Sequence, residues 1–119
     1  MNTKDTGTLG ERYAAQYLEQ KGYTILHTNW RWPHGEVDII ARQGETLVFV
    51  EVRTRHAPST ESAFASLSPE KQTKMIHGAY AYIKCANLPE DTLWRVDAIA
   101  VALVKSMPII DHVEDALGW

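Results

Sequence analysis

Two short apolar runs, separated by a glycine turn, each carry an acid where a strand normally buries an apolar side chain. Residues 35–40 contain Asp38, residues 48–55 contain Glu51, and residues 43–45 lie between the runs as a tight turn around glycine. Val, Ile and Phe are typical of strands, whereas acidic residues are uncommon there. The pattern predicts a β-hairpin in which the two carboxylates come close together.

The alternation of side chains along a strand groups these acids with other charges. Glu51 and Arg53 are two residues apart, as are Glu36 and Asp38, so each pair is predicted to share one face. Two carboxylates and a cation at one place can hold a divalent metal against a phosphate. The alternative for Glu51 is a structural ion pair with Arg53 or Arg55. Glu36 is equally consistent with a residue at the rim.

Length and charge limit the possible functions. A chain of 119 residues predicts one domain, with a formal net charge of -3 that argues against nonspecific DNA binding by bulk positive charge. The single cysteine, Cys85, excludes an internal disulfide and suits a reducing compartment. No leader sequence and no apolar run of membrane-spanning length is evident, so we expect a cytoplasmic protein without a membrane partner.

Two helices are predicted from their end signals. Thr8 and Glu11 have the spacing of a capping box at the start of the first helix, which Gly22 ends. Ser68 and Pro69 mark the start of the second helix, which extends to about residue 84. A short helical turn is expected within residues 54–68.

Five strands complete the pattern. The first covers residues 23–26 and is followed by a segment that Pro33 interrupts. The two acid-bearing strands come next, then a strand over residues 93–104 and a last, edge strand over residues 107–113. The fold class is therefore α/β: a mixed sheet flanked by helices in the order α-β-β-β-α-β-β.

Two further polar residues have both a structural and a functional interpretation. Glu11 either closes the capping box or points from the edge of the buried arc toward the sheet. Gln72 shares a helix face with Ile76 and Ala79, so its amide is predicted to turn inward, where backbone groups or a substrate phosphate would satisfy it.

Other chemistries find little support in the sequence. Arg95 and Asp97 are most simply a structural pair on the fourth strand. The five histidines are scattered, with no zinc-ligand spacing, and each is predicted at the surface or in a turn. No serine lies in a nucleophile elbow, and Cys85 is at the end of a helix.

Several segments together resemble one bacterial family, UPF0102 (YraN-like), over nearly the whole chain. They are Gly10-Glu11, Asn29-Trp30-Arg31, residues 35–40, residues 48–55, Lys71 and Arg95-Val96-Asp97. The resemblance implies a restriction-endonuclease-like fold, close to that of archaeal Holliday-junction resolvases.

By this likeness, Asp38 and Glu51 match the metal-binding acids of the PD-(D/E)xK nuclease motif. Arg53 stands where the motif has lysine, and Glu11 matches an additional glutamate on the first helix. Val37 replaces the proline of the motif. Because arginine does not readily release a proton, Arg53 could serve as a source of positive charge but not as a base.

The implied site binds Mg²⁺ or Mn²⁺ through Asp38, Glu51 and the backbone carbonyl of Val52, which are hard oxygen ligands. Arg53 would stabilise charge on the phosphate. Glu11 or Glu36 would hold a second metal or orient the water.

The expected function is a Mg²⁺-dependent endonuclease acting on structured or branched DNA in repair or recombination, and a homodimer is expected by analogy with resolvases. Arg31, Arg55 and Lys74 are predicted to contact the DNA backbone, as is Gln72. The alternative is a non-catalytic nucleic-acid-binding or protein-docking module on the same fold. A more remote possibility is a structural partner protein whose acids pair with arginines.

Overall fold

The computed structural model describes residues 1–105 and 107–116, which form three helices and five strands. In chain order these are α1 (Thr3–Gln20), β1 (Thr24–Trp32), β2 (Gly35–Gln43), β3 (Thr46–His56), α2 (Glu61–Ala65), α3 (Pro69–Cys85), β4 (Trp94–Val104) and β5 (Met107–Val113). The α/β class and the predicted order of elements are confirmed, and α2 is the helical turn expected between residues 54 and 68.

The strands form one mixed sheet in the order β1-β2-β3-β4-β5. Neighbouring strands are antiparallel except β3 and β4, which are parallel and are connected through α2 and α3. A parallel pair requires such a crossover, because a short turn can join only antiparallel strands. Within residues 1–105 and 107–116, no helix is long and apolar enough to cross a membrane.

Each face of the sheet is covered by one long helix. On the first face, α1 buries Ala14 and Leu18 against β2, β3 and β4; on the second, α3 packs Ala79 against Val96 and Phe49. Alternate residues of β3 enter the two cores, with Val48, Val50 and Val52 on the α1 face and Leu47 and Phe49 on the α3 face. Glu51 therefore follows the α3-facing register, as the sequence predicts.

The start of α1 differs from the prediction. The helix begins at Thr3, and the Asn2 side chain caps it by accepting a hydrogen bond from the Asp5 N–H at 2.8 Å. Thr8 lies inside the helix, where its hydroxyl donates to the Lys4 carbonyl. The capping box of Thr8 and Glu11 is therefore wrong, since an earlier cap already satisfies the helix start. Glu11 is left available for another partner. The predicted end is confirmed, because Gly22 has a φ of +93°.

β1 is also longer than predicted, and it continues to Trp32, immediately before Pro33. Its pairing with β2 is interrupted at Asn29 and Asp38, which lie between the pairs Thr28–Ile39 and Trp30–Val37. Asn29 has a φ of +51°, a left-handed conformation that is uncommon for residues other than glycine.

β2 and β3 separate just where the two acids occur. Their pairing runs from Gln43–Thr46 to Ile39–Val50, and Asp38 and Glu51 are the next residue on each strand. Beyond this point β2 pairs with β1 alone, whereas β3 continues beside β4 to His56. The opening between residues 35–38 of β2 and residues 51–56 of β3 is called the fork below.

A glycine allows α1 to approach β3 beside the fork. A Cβ atom at Gly10 would lie 2.7 Å from the Thr54 Cβ, closer than two carbon atoms can pack. Gly10 and Thr54 are both buried. This close approach brings Glu11, the next residue of α1, to the fork.

We expect Gly10→Ala to lower the free energy of unfolding by about 1 to 3 kcal/mol, because the added methyl group must push α1 away from Thr54. Gly7→Ala is a matched control on the same helix, since a Cβ there meets nothing within 4 Å. That change should stabilise the protein by about 0.5 to 1 kcal/mol, as alanine does in a helix interior. Urea unfolding measures both, and equal effects of the two substitutions would contradict the close approach.

Candidate metal centre

Asp38 and Glu51 meet at the base of the fork. One carboxylate oxygen of Asp38 accepts a hydrogen bond from the Val52 N–H at 2.8 Å, so the side chain binds a β3 amide beyond the last backbone pair. Both side chains also line one cleft beside α1. The approach of the two acids that the hairpin predicts is therefore present.

The shared environment raises the pKa of both groups. Burial, and then the negative charge of Glu51, raise the pKa of Asp38 to about 8 from its ordinary value of 3.8. Burial also raises the pKa of Glu51, although the charges of Arg53 and Lys71 oppose that rise. Two carboxyl groups this close do not both ionise easily, because the charge of each opposes ionisation of the other.

Two more acids join Asp38 at the fork. One carboxylate oxygen from each of Glu11, Glu36 and Asp38 lies within 4.8 Å of the other two. Burial raises the pKa of Glu11, and the charge of Glu36 adds to the rise, whereas a hydrogen bond from Asn29 opposes it. The acids come from α1, β2 and β3, so three elements build the centre.

Asn29 is the polar residue that connects these acids. Its Nδ2 donates to a Glu11 oxygen at 2.5 Å and to a Glu36 oxygen at 2.8 Å. Asn29 belongs to a segment that carries the family resemblance, but no site role was predicted for its side chain. Asparagine tolerates the left-handed conformation better than most residues. Its presence in the sequence at this position was therefore a signal for an irregular backbone here.

The regular alternation predicted for Glu36 and Asp38 does not hold along β2. Val37 packs in the core on the α3 face, whereas Ile39, two residues later, packs on the α1 face. In a regular strand these two residues would share a face. The strand therefore changes its facing at Asp38, and the two acids still converge because Asp38 lies at this irregularity.

Arg53 lies on the same side as Glu51 and is held in place by α2. Its Nε donates to the Ser66 hydroxyl at 2.8 Å, and Nη1 lies 3.7 Å from a Glu51 oxygen. The predicted pair on one face is thus present, together with a serine that no sequence signal indicated. The ion pair is consistent with the structural alternative for Glu51 as well as with a functional role.

Two clefts reach the acids from opposite faces of the sheet, and Glu51 lines both. The first, about 240 Å³, is bounded by Glu36, Ser68, Lys71 and Lys74 at the start of α3. The second, about 230 Å³, lies beside α1 and includes Glu11, Asp38, Val52, Arg53 and Arg55. Lys71, one of the residues that carry the family resemblance, faces the acid centre.

The predicted DNA contacts divide between these clefts and the rim. Lys74 and Arg55 are exposed and line the first and second cleft, respectively. Arg31 is 83% exposed and lies 3.5 Å from a Glu36 oxygen. Gln72 is half-buried, and it does not belong to the described residues that line the two clefts.

Asp97 belongs to a separate, buried cluster on the α1 face. It accepts hydrogen bonds from Arg95 at 3.0 Å and from the Asp115 N–H at 3.0 Å, and it lies 2.7 Å from His112 Nε2. Burial alone would raise the pKa of Asp97, but these hydrogen bonds hold it below its ordinary value. The structural interpretation of Arg95 and Asp97 agrees with this arrangement.

The surface position predicted for His112 is wrong, because its side chain is 3% exposed. It shares the inward face of β5 with Ile110, which packs in the α1-side core. The other ring nitrogen of His112, Nδ1, lies 3.3 Å from the Tyr17 hydroxyl oxygen.

The chemistry of the donor set at the fork fits a hard divalent cation. Glu11, Glu36, Asp38 and Glu51 offer only carboxylate oxygens, and neither histidine nor cysteine belongs to the acid group found among residues 1–105 and 107–116. Such oxygen donors suit Mg²⁺ and Mn²⁺, whereas zinc sites usually include nitrogen or sulfur. The Val52 carbonyl remains a predicted ligand; the observed contact of Val52 is its N–H.

Asp38→Asn should change the dependence of stability on pH when EDTA is present. Because the pKa of Asp38 is about 8 in the folded protein and near 3.8 when it is unperturbed, the folded state binds more protons between these values. The stability contributed by protonated Asp38 is complete below pH 4 and is lost as the pH rises through 8. The advantage of Asp38→Asn over the wild type should therefore grow by about 2 to 4 kcal/mol between pH 5 and pH 9.

Urea unfolding at several pH values measures this advantage. Asp91→Asn changes an exposed loop acid and should follow the wild-type profile. Parallel profiles for Asp38→Asn and the wild type would contradict the buried acid pair.

Comparison with known proteins identifies the family of this chain. The model of "Uncharacterised protein family UPF0102" matches residues 10–101. A UPF0102 protein of Chloroflexus aurantiacus is 43% identical over 113 residues, covering 94% of this chain and 92% of the relative. A UPF0102 protein of Dehalococcoides mccartyi is 39% identical over 117 residues, covering 98% and 96%, respectively. With the family model and full-length relatives in agreement, the chain belongs to the UPF0102 family.

Proposed function

We propose that this protein is a metal-dependent nuclease that hydrolyses phosphodiester bonds of DNA at the fork. The observation that carries the proposal is the convergence of Glu11, Glu36 and Asp38, with Glu51 in the same cleft as Glu11 and Asp38. Burying several acids together opposes folding, so an arrangement of this kind is more typical of a functional site than of a structural one. The resemblance to the PD-(D/E)xK motif supports the same chemistry.

The four acids would hold the metal, and their geometry gives each a different place. Asp38 and Glu51 are half-buried at the base of the fork, Glu11 approaches from α1, and the Glu36 side chain is 34% exposed. When bound, Mg²⁺ or Mn²⁺ supplies positive charge to a phosphate oxygen and lowers the pKa of a water. Glu36, as the most accessible acid of the group, is suited to orient that water.

The cations around the acids would receive the nucleic acid. Arg53 is fixed by Ser66 and Glu51, so its guanidinium is already oriented toward a phosphate at the acid centre. Lys71 and Lys74 in one cleft and Arg55 in the other provide positive charge on both sides. The net charge of -3 does not oppose this, because local charge rather than the total positions a phosphate backbone. Branched DNA is the substrate that the resemblance to resolvases favours.

Glu51→Gln should lower the rate of Mn²⁺-dependent cleavage at least about a hundredfold. The change removes a charged ligand while preserving the shape of the side chain. Cleavage of linear, flapped and four-way DNA is measured with and without Mn²⁺. Isothermal titration with Mn²⁺ measures binding separately. Glu45→Gln, in the exposed turn of the same hairpin, should retain wild-type cleavage and binding.

Mn²⁺ binding without cleavage of any of these substrates would favour the non-catalytic alternative. The observation that supports this alternative is Arg53, which stands where the nuclease motif has lysine. Failure of the wild type to bind Mn²⁺ would refute the proposal.

Arg53→Ala should lower the cleavage rate by about 10² to 10³ while changing Mn²⁺ affinity by less than tenfold, because Arg53 would act on the phosphate and not on the metal. Arg53→Lys keeps the charge and should retain more activity than Arg53→Ala. Single-turnover cleavage and Mn²⁺ titration measure the two effects. An equal loss in both variants would assign the role of Arg53 to its forked hydrogen bonds instead of its charge.

A further inference from the structure

Asn29 occupies an unusual position for a residue within a strand. Its backbone has a φ of +51°, and the cross-strand ladder is interrupted at Asn29 and Asp38. Its side chain lies against two of the acids, with Nδ2 at 2.5 Å from Glu11 and 2.8 Å from Glu36. A single NH₂ group thus contacts the acids of two different elements, α1 and β2.

The Asn29 amide is a hydrogen-bond donor in contact with carboxylate oxygens of the acid group. The two oxygens that accept from Asn29 are Glu11 Oε1 and Glu36 Oε1. Glu11 and Glu36 also belong to the group of three whose carboxylate oxygens lie within 4.8 Å of one another. The partial positive charge of the amide therefore offsets part of the repulsion between Glu11 and Glu36, as a cation would do more strongly.

A side-chain amide is also able to reverse this role. The oxygen and nitrogen of asparagine are nearly equal in size, and rotation of the terminal amide exchanges their positions. In one orientation the group donates to carboxylates; in the other it presents a carbonyl oxygen, which is a normal ligand of hard divalent cations.

We infer that Asn29 is a ligand-switching residue of the metal centre: its amide bridges Glu11 and Glu36 in the metal-free protein and turns over to coordinate the metal through Oδ1. The inference rests on the proposed function, since it assumes that the acids at the fork bind a cation. It adds a neutral oxygen to the carboxylate set. In the metal-free structure, Asn29 with its left-handed backbone conformation contacts both acids through its amide.

Asn29→Gly tests the inference without introducing backbone strain, because glycine accepts a positive φ. Asn87→Gly is the matched control: Asn87 has a φ of +53° and follows α3, away from the acid group. Mn²⁺ titration should show affinity at least about tenfold weaker for Asn29→Gly and unchanged for Asn87→Gly. Asn29→Asp retains an oxygen ligand and should bind Mn²⁺ at least as tightly as the wild type.

A second measurement follows the amide directly. In a ¹⁵N-labelled sample, the side-chain NH₂ signal that is absent in Asn29→Gly identifies Asn29. Addition of Mg²⁺ should shift this signal as its hydrogen bonds to Glu11 and Glu36 are broken. A signal that stays in place while those of neighbouring backbone amides move would overturn the inference.

The outcomes separate this inference from the proposed function. If the wild type binds Mn²⁺ and Asn29→Gly binds it equally or more tightly, Asn29 is not a ligand, and the nuclease proposal is unaffected. If the wild type binds no Mn²⁺, both are overturned. Circular dichroism and thermal unfolding in EDTA confirm that each variant is folded before binding is compared.

Discussion

The separation of β2 from β3 after the pair Ile39–Val50 is the constraint on which the rest of the site depends. An antiparallel ladder satisfies its backbone groups by continuing, and an early end leaves amides that need other partners. Here the Asp38 side chain accepts the Val52 N–H in place of a backbone carbonyl. The opening admits a helix residue, Glu11, which could not reach the same point across a continuous sheet.

The acid centre is formed against its own electrostatic repulsion, and its neighbours reduce that cost. Burial raises the pKa of Asp38 and of Glu51, so ionising both groups at once is unfavourable. Arg53 and Lys71 provide positive charge that opposes the rise in the pKa of Glu51. Asn29 provides a donor from β1. Because repulsion between the carboxylates is only partly offset by these neighbours, an added positive charge should stabilise the site strongly.

Strand patterning in the sequence predicts the hairpin, the α3-facing register of Glu51 and the bounds of β5, because these depend on local alternation and turn chemistry. The start of α1 was not predictable in the same way, since Thr8 and Glu11 have the spacing of a cap and the true cap is Asn2. Asn29 was overlooked because its importance comes from the approach of α1, which is a long-range contact. His112 was misassigned although Ile110 on the same face indicated an inward position.

The buried Asp97 cluster joins α1 to the last two strands. His112 lies between Asp97 on β4 and Tyr17 on α1, its contact with Tyr17 spans 95 positions of sequence, and the Ala116 N–H donates to the Val96 carbonyl. Contacts of such separation form late, because the intervening loop must first be closed at an entropic cost. The first helix therefore completes its contacts with the sheet only when His112 and Ile110 of β5 are in place.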